Sequence, residues 1–301
     1  MSELDGKVAI ITGAGAGLGR EHALCLAKMG ARVVINDLGG SPAGEEAAHK
    51  VVAEIKGLGG EAVAHFGDCA DWGTTETLFK TAIDTYGDLN ILVNNAGFCR
   101  DAMLFNMTEQ DFDAVVRVHL KGHFCNMRHA AKYWRDKAKA ENAPVYGRLI
   151  STSSEAFLFC SVGQPNYAAA KAGIVAMTMG AAQVMFKSGV TANVICPRAR
   201  TAMTSTGPIA AMFEKPDAGF DYFAPEHISP LVGYLASPRA ANVSGEVFVV
   251  WGKQISVVQR PTVGPAFDNE EAWTVDDVEK KLGGYFAKRT PIRDGFAVPA
   301  M

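Results

Sequence analysis

The sequence predicts a doubly wound parallel α/β sheet, and three observations carry that prediction. Short β-branched apolar runs recur along the chain. Stretches of helical composition alternate with them. The first run passes directly into a glycine-rich turn that opens a helix. The runs are apolar at successive positions rather than at alternate ones, as strands covered by helices on both faces require.

Taken in order, Lys7 to Thr12 is the first strand and leads into Gly13, Gly15, Gly17 and Gly19. Arg20 to Met29 is helical, with Ala23, Leu24, Leu26 and Ala27 as its apolar stripe, and Gly30 stops it. Arg32 to Asn36 is the second strand and ends on Asp37. A helix over Glu45 to Gly57, a strand over Glu61 to Phe66, a helix over Trp72 to Tyr86 and a strand over Asn90 to Val93 follow. Thr108 to about Lys139 reads as one long helix or two abutting ones. Gly147 to Ser151 is a strand, Asn166 to Ser188 a long helix, Val190 to Cys196 a strand, Pro225 to Ala236 a helix, and Glu246 to Val250 the last strand.

Two stretches break the pattern. Thr201 to Ala224 is rich in Gly, Pro and small residues and follows a strand, where such sheets line their ligand crevice. It is expected to cover an apolar substrate. The tail beyond residue 250 holds one helix, Thr274 to Ala287, opened by a Thr-Val-Asp-Asp cap. The expected organisation is one core over residues 1–250 and an extension over 251–301, packed on the core or on a neighbouring subunit.

Composition narrows the function. The chain has 301 residues, 48% hydrophobic, with a formal net charge of −3 and no long run of like charge. That argues against nucleic acid or an acidic membrane as partner. Six cysteines stand singly, without metal-ligand spacing or a disulfide pattern, as in a reduced cytoplasmic protein. The N-terminal residues do not resemble a signal peptide, no apolar run reads as membrane-spanning, and the final Pro299-Ala300-Met301 is not a peroxisomal address.

The chemistry-bearing residues lie at the strand ends. Glycines at 13, 17 and 19 allow a tight turn and close approach of backbone N–H groups to a pyrophosphate, aided by the helix N-terminus. Asp37 can accept hydrogen bonds from both adenosine ribose hydroxyls and repels a 2′-phosphate. Leu38, Gly39 and Gly40 follow it, with no basic residue, so NAD is favoured over NADP. Asp68 and Cys69 follow the third strand, where an adenine edge would lie. Asn94-Asn95-Ala96-Gly97 ends the fourth, with small residues that let a cofactor pass and amides that can tie strands together. Ser151 to Ser154 places hydroxyls at the fifth strand end. Tyr167 and Lys171 sit at i and i+4 on one helix face, where an ammonium favours phenolate and prepares a proton-transfer group.

Together, Thr12-Gly13-x-x-x-Gly17-x-Gly19, Asn94-Asn95-Ala96-Gly97, Ser154 thirteen residues before Tyr167, and Tyr167-x-x-x-Lys171 resemble the short-chain dehydrogenase/reductase family. The resemblance covers about residues 5 to 250. It implies a seven-stranded Rossmann core and hydride transfer between nicotinamide C4 and a carbinol or carbonyl carbon. It also implies that Tyr167 is the general acid/base, that Lys171 lowers its pKa and binds the nicotinamide ribose, and that Ser154 orients the substrate oxygen. Thr12, Leu18, Asn95, Ala96 and Gly97 would join the glycines as cofactor contacts, and Pro197, Arg200 and Thr201 would flank the nicotinamide carboxamide. A homodimer or homotetramer is expected by the same analogy.

Two positions depart from the family pattern. His119 stands where a relay asparagine is usual; it either relays protons through water or is a satisfied core histidine. Arg198 follows Pro197 where glycine is common, so Arg198 or Arg200 bears on substrate binding or is a solvated surface arginine. The segments 13–20 and 34–40, and His119 within Arg117-Val118-His119-Leu120, further resemble the dehydrogenase unit of type-two peroxisomal multifunctional enzymes and its bacterial relatives. That branch implies a (3R)-hydroxyacyl-CoA or steroid-type alcohol as substrate. A 3-oxoacyl reductase, another alcohol dehydrogenase, or a non-catalytic NAD-binding sensor are the alternatives.

Overall fold

β1 (Val8–Thr12) is buried along its whole length, and its alternate residues serve two different cores. The computed structural model describes residues 2–39, 42–205 and 210–290. In chain order, β1 is followed by α1 (Gly17–Lys28), β2 (Arg32–Asp37), α2 (Pro42–Gly57), β3 (Ala62–Phe66), α3 (Trp72–Tyr86) and β4 (Ile91–Asn94). Then come α4 (Glu109–Val116), a π-helical turn (Arg117–Lys121), α5 (Gly122–Glu141), β5 (Gly147–Thr152), a single turn α6 (Ala156–Phe159), α7 (Pro165–Met185) and β6 (Val190–Pro197). α8 (Ser229–Ala236), β7 (Val247–Trp251) and β8 (Gln254–Val257) complete the sheet.

The strand order is β3-β2-β1-β4-β5-β6-β7-β8. The first seven run parallel, as expected, and β8 pairs antiparallel with β7. The sheet therefore has eight strands rather than seven and runs on past residue 250 to Val257. The extra strand arises from a hairpin. Gly252, at φ +47°, turns the chain back so that Trp251 faces Gln254.

Ala9 and Ile11 of β1 pack with Leu26 of α1, Val51 of α2 and Leu235 of α8. Val8 and Ile10 pack on the other face with Leu78 of α3, Trp134 of α5 and Met185 of α7. The strands are apolar throughout because each face has its own helical layer. The chain order reverses between β1 and β4, and the crevice outside their carboxyl ends is the ligand position of this architecture.

The long helical region over 108–139 is continuous, but the π turn interrupts it at Arg117–Lys121. Such bulges add a residue to a helical turn and commonly sit at functional sites. The helix from Pro165 to Ser188 is long and apolar enough to cross a membrane, contrary to expectation. Here it lies along β6 with Lys171 buried on its inner side.

In the tail, Thr274 and Asp277 form the expected capping box, and the helical turns after it include a π segment over Glu279–Gly283. Residues 206–209 of the Thr201–Ala224 loop, and 291–301 of the extension, lie outside the described residues.

Trp134 tests the packing. It is 1% exposed, its Nε1–H donates to the Leu89 carbonyl at 2.8 Å, and it packs where a Cβ on Gly147 would be 3.1 Å away. Trp134→Ala should cost about 3–5 kcal/mol of stability, read as a lowered urea midpoint. A midpoint within error of wild type would refute that placement.

Candidate active site

The glycine turn is shaped by contacts that exclude side chains. Gly13, at φ +63°, has its missing Cβ position 2.8 Å from Ala96 Cα. A Cβ on Gly19 would collide with the Gly13 carbonyl and lie 2.6 Å from Asn95 Nδ2. Asn95 binds this turn to β4: its side-chain amide donates to the carbonyls of Thr12 and Gly13, both at 3.1 Å. The Thr12 hydroxyl accepts from the N–H groups of Asn95 (3.0 Å) and Ala96 (3.2 Å). Thr12, Asn95 and Ala96 thus fix the turn.

α1 begins without a capping side chain and without an acidic residue in its first turn. Its N-terminal N–H groups are available to an anion. Gly17, at φ +53°, meets only the Thr201 Cγ2, 4.0 Å from its missing Cβ. Thr201 therefore faces the helix start across an open gap, and Leu18 packs on the core beneath. These features fit a pyrophosphate.

Asp37 ends β2. Its carboxylate accepts from the N–H groups of Gly15 and Leu38, both at 2.8 Å. A carboxylate has further lone pairs, so acceptance of ribose hydroxyls remains open to it. Asp68 follows β3, and its carboxylate pairs with Arg117 at 2.6 Å and caps the Ala70 N–H at 2.8 Å. The neighbouring Cys69 is buried, which pushes its thiol up to about 12.

β5 and α7 bring the proton-transfer residues together. The Ser153 hydroxyl donates to the Lys171 carbonyl at 2.9 Å, and the Lys171 ammonium donates to the Thr152 carbonyl at 2.7 Å. The Ser154 hydroxyl accepts from the Ala156 N–H at 3.2 Å and reaches the Tyr167 phenol. Asn166, fully buried, donates to the carbonyls of Arg100 (3.0 Å) and Asp111 (3.1 Å) and accepts from the Tyr167 N–H at 2.7 Å. That anchors the first turn of α7.

The expected depression of the Tyr167 pKa is not produced by the protein's own groups. Burial raises the phenol, and the Ser154 hydrogen bond only partly opposes it. Lys171 lies over the tyrosine ring, 5.3 Å from its centroid, yet burial lowers its own ammonium to about 8. Desolvation penalises both charged forms and here outweighs their attraction.

His119 sits in the π turn, edge-on to Tyr167 with ring centroids 5.1 Å apart. Its Nε2 is 2.7 Å from the Phe98 carbonyl and 3.1 Å from the Phe98 N–H, so it serves one of them at a time. Its Nδ1 is buried without a protein partner. Burial holds the ring well below the usual histidine pKa, so it is neutral. Gly97 answers to this ring: a Cβ there would collide with His119 Cε1. That contact alone requires a glycine on this side.

Neither arginine after β6 is solvated. Arg198 forms a buried bidentate pair with Glu155. Arg200 pairs with Asp221 and donates to the Phe213 carbonyl at 3.0 Å. Its guanidinium is therefore committed to the loop over residues 201–224. Glu155, Asp221 and Trp251 were not singled out from the sequence, although Glu155 directly follows Ser154 and Arg198 departs from the family pattern.

The site and fold agree with relationships across the whole chain. Residues 7–208 match the short chain dehydrogenase family, and the chain belongs to it; it is an oxidoreductase of the kind that uses a nicotinamide cofactor. Hydroxyacyl-CoA dehydrogenase ChsB1 of Mycobacterium tuberculosis is 48% identical over 293 residues, covering 96% of this chain and 92% of that protein. Peroxisomal multifunctional enzyme type 2 of Mus musculus is 42% identical over 250 residues, which span 82% of this chain but 32% of that enzyme. The crystal structure of a short chain dehydrogenase from Mycobacterium avium superposes with a TM-score of 0.87 at 46% identity, covering 98% of this chain and 100% of that one.

Two measurements test the site. Gly19→Ala should weaken dinucleotide binding at least about tenfold, or ~1.4 kcal/mol, in a fluorescence titration. Unchanged affinity would contradict the role of the turn. Lys171 titrates near 8 in the fold against 10.5 ordinarily. Between those values the native state has lost a proton that the unfolded chain keeps, so this group makes stability rise with pH. Below about 8 its full penalty applies. Lys171→Met should therefore remove a rise in unfolding free energy of on the order of a few kcal/mol between pH 8 and 10.5. Parallel wild-type and variant curves would contradict the burial argument.

Proposed function

We propose that this chain is an NAD-dependent dehydrogenase that interconverts the secondary alcohol and ketone of a 3-hydroxyacyl-CoA. The observation that carries the reading is the seating of Ser154, Tyr167 and Lys171 beside a glycine turn fitted to a dinucleotide. Similarity over nearly the full length of a hydroxyacyl-CoA dehydrogenase supports the substrate class. Asp37, followed by exposed Leu38 rather than by a basic residue, supports NAD over NADP.

Bound NAD supplies the hydride acceptor and a positively charged ring. The chain supplies the rest. Ser154 holds the carbinol oxygen by a hydrogen bond, and Tyr167 as phenolate removes its proton. Lys171, held by Thr152 and close to the tyrosine ring, stabilises that phenolate and donates to the nicotinamide ribose. His119, neutral and with an unpartnered Nδ1, offers an acceptor for a water between Tyr167 and solvent. The apolar residues of the Thr201–Ala224 loop favour a bulky acyl or ring-bearing group.

Reduced-cofactor absorbance with NAD and a panel of 3-hydroxyacyl-CoA, steroid and simple alcohols checks the substrate. The acyl-CoA compounds should turn over best; turnover of simple alcohols alone would contradict the choice. Tyr167→Phe should reduce kcat by about a thousandfold or more while NAD affinity holds. A variant with wild-type turnover would end the acid–base assignment. Asp37→Ala should raise the NADP-to-NAD ratio of kcat/KM about tenfold, the loss of a charge–charge discrimination. An unchanged ratio would remove Asp37 from cofactor choice.

A further inference from the structure

We propose that the buried Glu155–Arg198 ion pair is a positioning clasp that holds Ser154 in register with Tyr167 and ties it to the strand end flanking the cofactor. The inference rests on the dehydrogenase reading of the site.

Three contacts place the clasp. Arg198 Nε donates to Glu155 Oε2 at 2.5 Å, and Arg198 Nη2 donates to Glu155 Oε1 at 2.8 Å. The guanidinium lies 5.2 Å from the Trp251 ring centroid, at the end of β7. The Arg198 backbone N–H donates to the Val250 carbonyl at 3.0 Å, which extends the β6–β7 pairing past Pro197. One residue therefore links the ends of β5, β6 and β7. Glu155 and Arg198 are only 7% and 8% exposed.

The consequence falls on Ser154 because of chain connectivity. Ser154 has no strand pairing of its own, since β5 ends at Thr152. It lies between Ser153, bonded to Ile195 and Lys171, and Glu155, bonded to Arg198. The two flanking residues are thus fixed to β6 and α7, and Ser154 is held between them. Besides the Tyr167 phenol, its own hydrogen bonds reach the Ala156 and Phe157 N–H groups of the turn that follows Glu155. A fork-to-fork carboxylate–guanidinium pair fixes direction as well as distance, which a lysine ammonium does not. Its neighbours add rigidity: Trp251 is stacked on Phe223 with ring centroids 5.8 Å apart. The clasp thereby joins the serine to the far end of the substrate loop.

A buried ion pair is often replaceable by apolar side chains without loss of stability. Fold and positioning can therefore be separated. The double variant Glu155→Leu with Arg198→Met should stay folded and bind NAD as wild type does. Its kcat should fall about tenfold or more, because misplacement of about an ångström at a reacting group has effects of that size. The distinguishing readout is a double-mutant cycle. In a Ser154→Ala background the same pair of changes should lower kcat no further, since the clasp acts through the serine. A folded double variant with wild-type kcat, or losses that multiply in the Ser154→Ala background, would overturn the proposal. Should the double variant fail to fold, Arg198→Lys, which keeps the charge and removes the fork, takes its place in the cycle. A fall in kcat that vanishes in the Ser154→Ala background is again expected, and wild-type kcat or multiplying losses again overturn the clasp.

Wild-type turnover is measured first, with NAD and a 3-hydroxyacyl-CoA. Its absence would refute the substrate reading alone. The cycle is then run on whichever alcohol the panel shows the wild type to oxidise.

Discussion

The reciprocal hydrogen bonding between the end of β5 and α7 is the constraint on which the rest of the site depends. Ser153 donates to the Lys171 carbonyl while Lys171 returns its ammonium to the Thr152 carbonyl. This pairing sets a serine from a strand end against a tyrosine and a lysine from a helix face. It also explains how a lysine tolerates complete burial. The ammonium is hydrogen-bonded to a backbone carbonyl, which offsets part of the burial cost that its lowered pKa reflects. Around it, Asn166 fixes the start of α7 to the loop after β4 and to α4, and Asn95 fixes the glycine turn to β4. Each asparagine amide donates to two backbone carbonyls of segments distant from it in sequence and so ties them to its own.

The glycine turn and the region after β6 are held by different kinds of interaction. The glycine turn is held by backbone packing, by four neutral hydrogen bonds through Thr12 and Asn95 and by the Asp37 carboxylate, leaving its helix N-terminus bare. The region after β6 is held by two ion pairs, Glu155–Arg198 and Arg200–Asp221, and by an aromatic cluster around Trp251. Charge pairing between residues distant in sequence shapes the region after β6.

Much of this was legible in the sequence, and the limits have physical causes. The parallel strands could be read because burial on both faces leaves continuous apolar runs such as Lys7 to Thr12. The glycine turn and the Tyr167–Lys171 pair could be read because local spacing fixes their geometry, whereas Ser154 was picked out of Ser151 to Ser154 by the family resemblance. β8 was missed because only four residues form it and their side chains are mostly exposed, although Gly252-Lys253 between two strand-like runs was a hairpin signal. The Glu155–Arg198 pair was missed because its partners are 43 residues apart and each looks like a surface charge when read alone. The π turn at His119 has no local signature, since a helix bulge is decided by what the helix packs against. The raised Tyr167 pKa was missed for a related reason. Spacing shows that an ammonium is near, but not how deeply both groups are buried.

Hydride transfer from the substrate carbinol to a nicotinamide cofactor is the central claim, and isotope transfer tests it most directly. A 3-hydroxyacyl-CoA deuterated at the carbinol carbon is mixed with the protein and NAD, and the cofactor is examined by nuclear magnetic resonance. The account predicts deuterium at C4 of the reduced nicotinamide and a ketone at C3 of the acyl chain. Reduced cofactor without deuterium, or no reduced cofactor at any pH at which the protein remains folded, would contradict it.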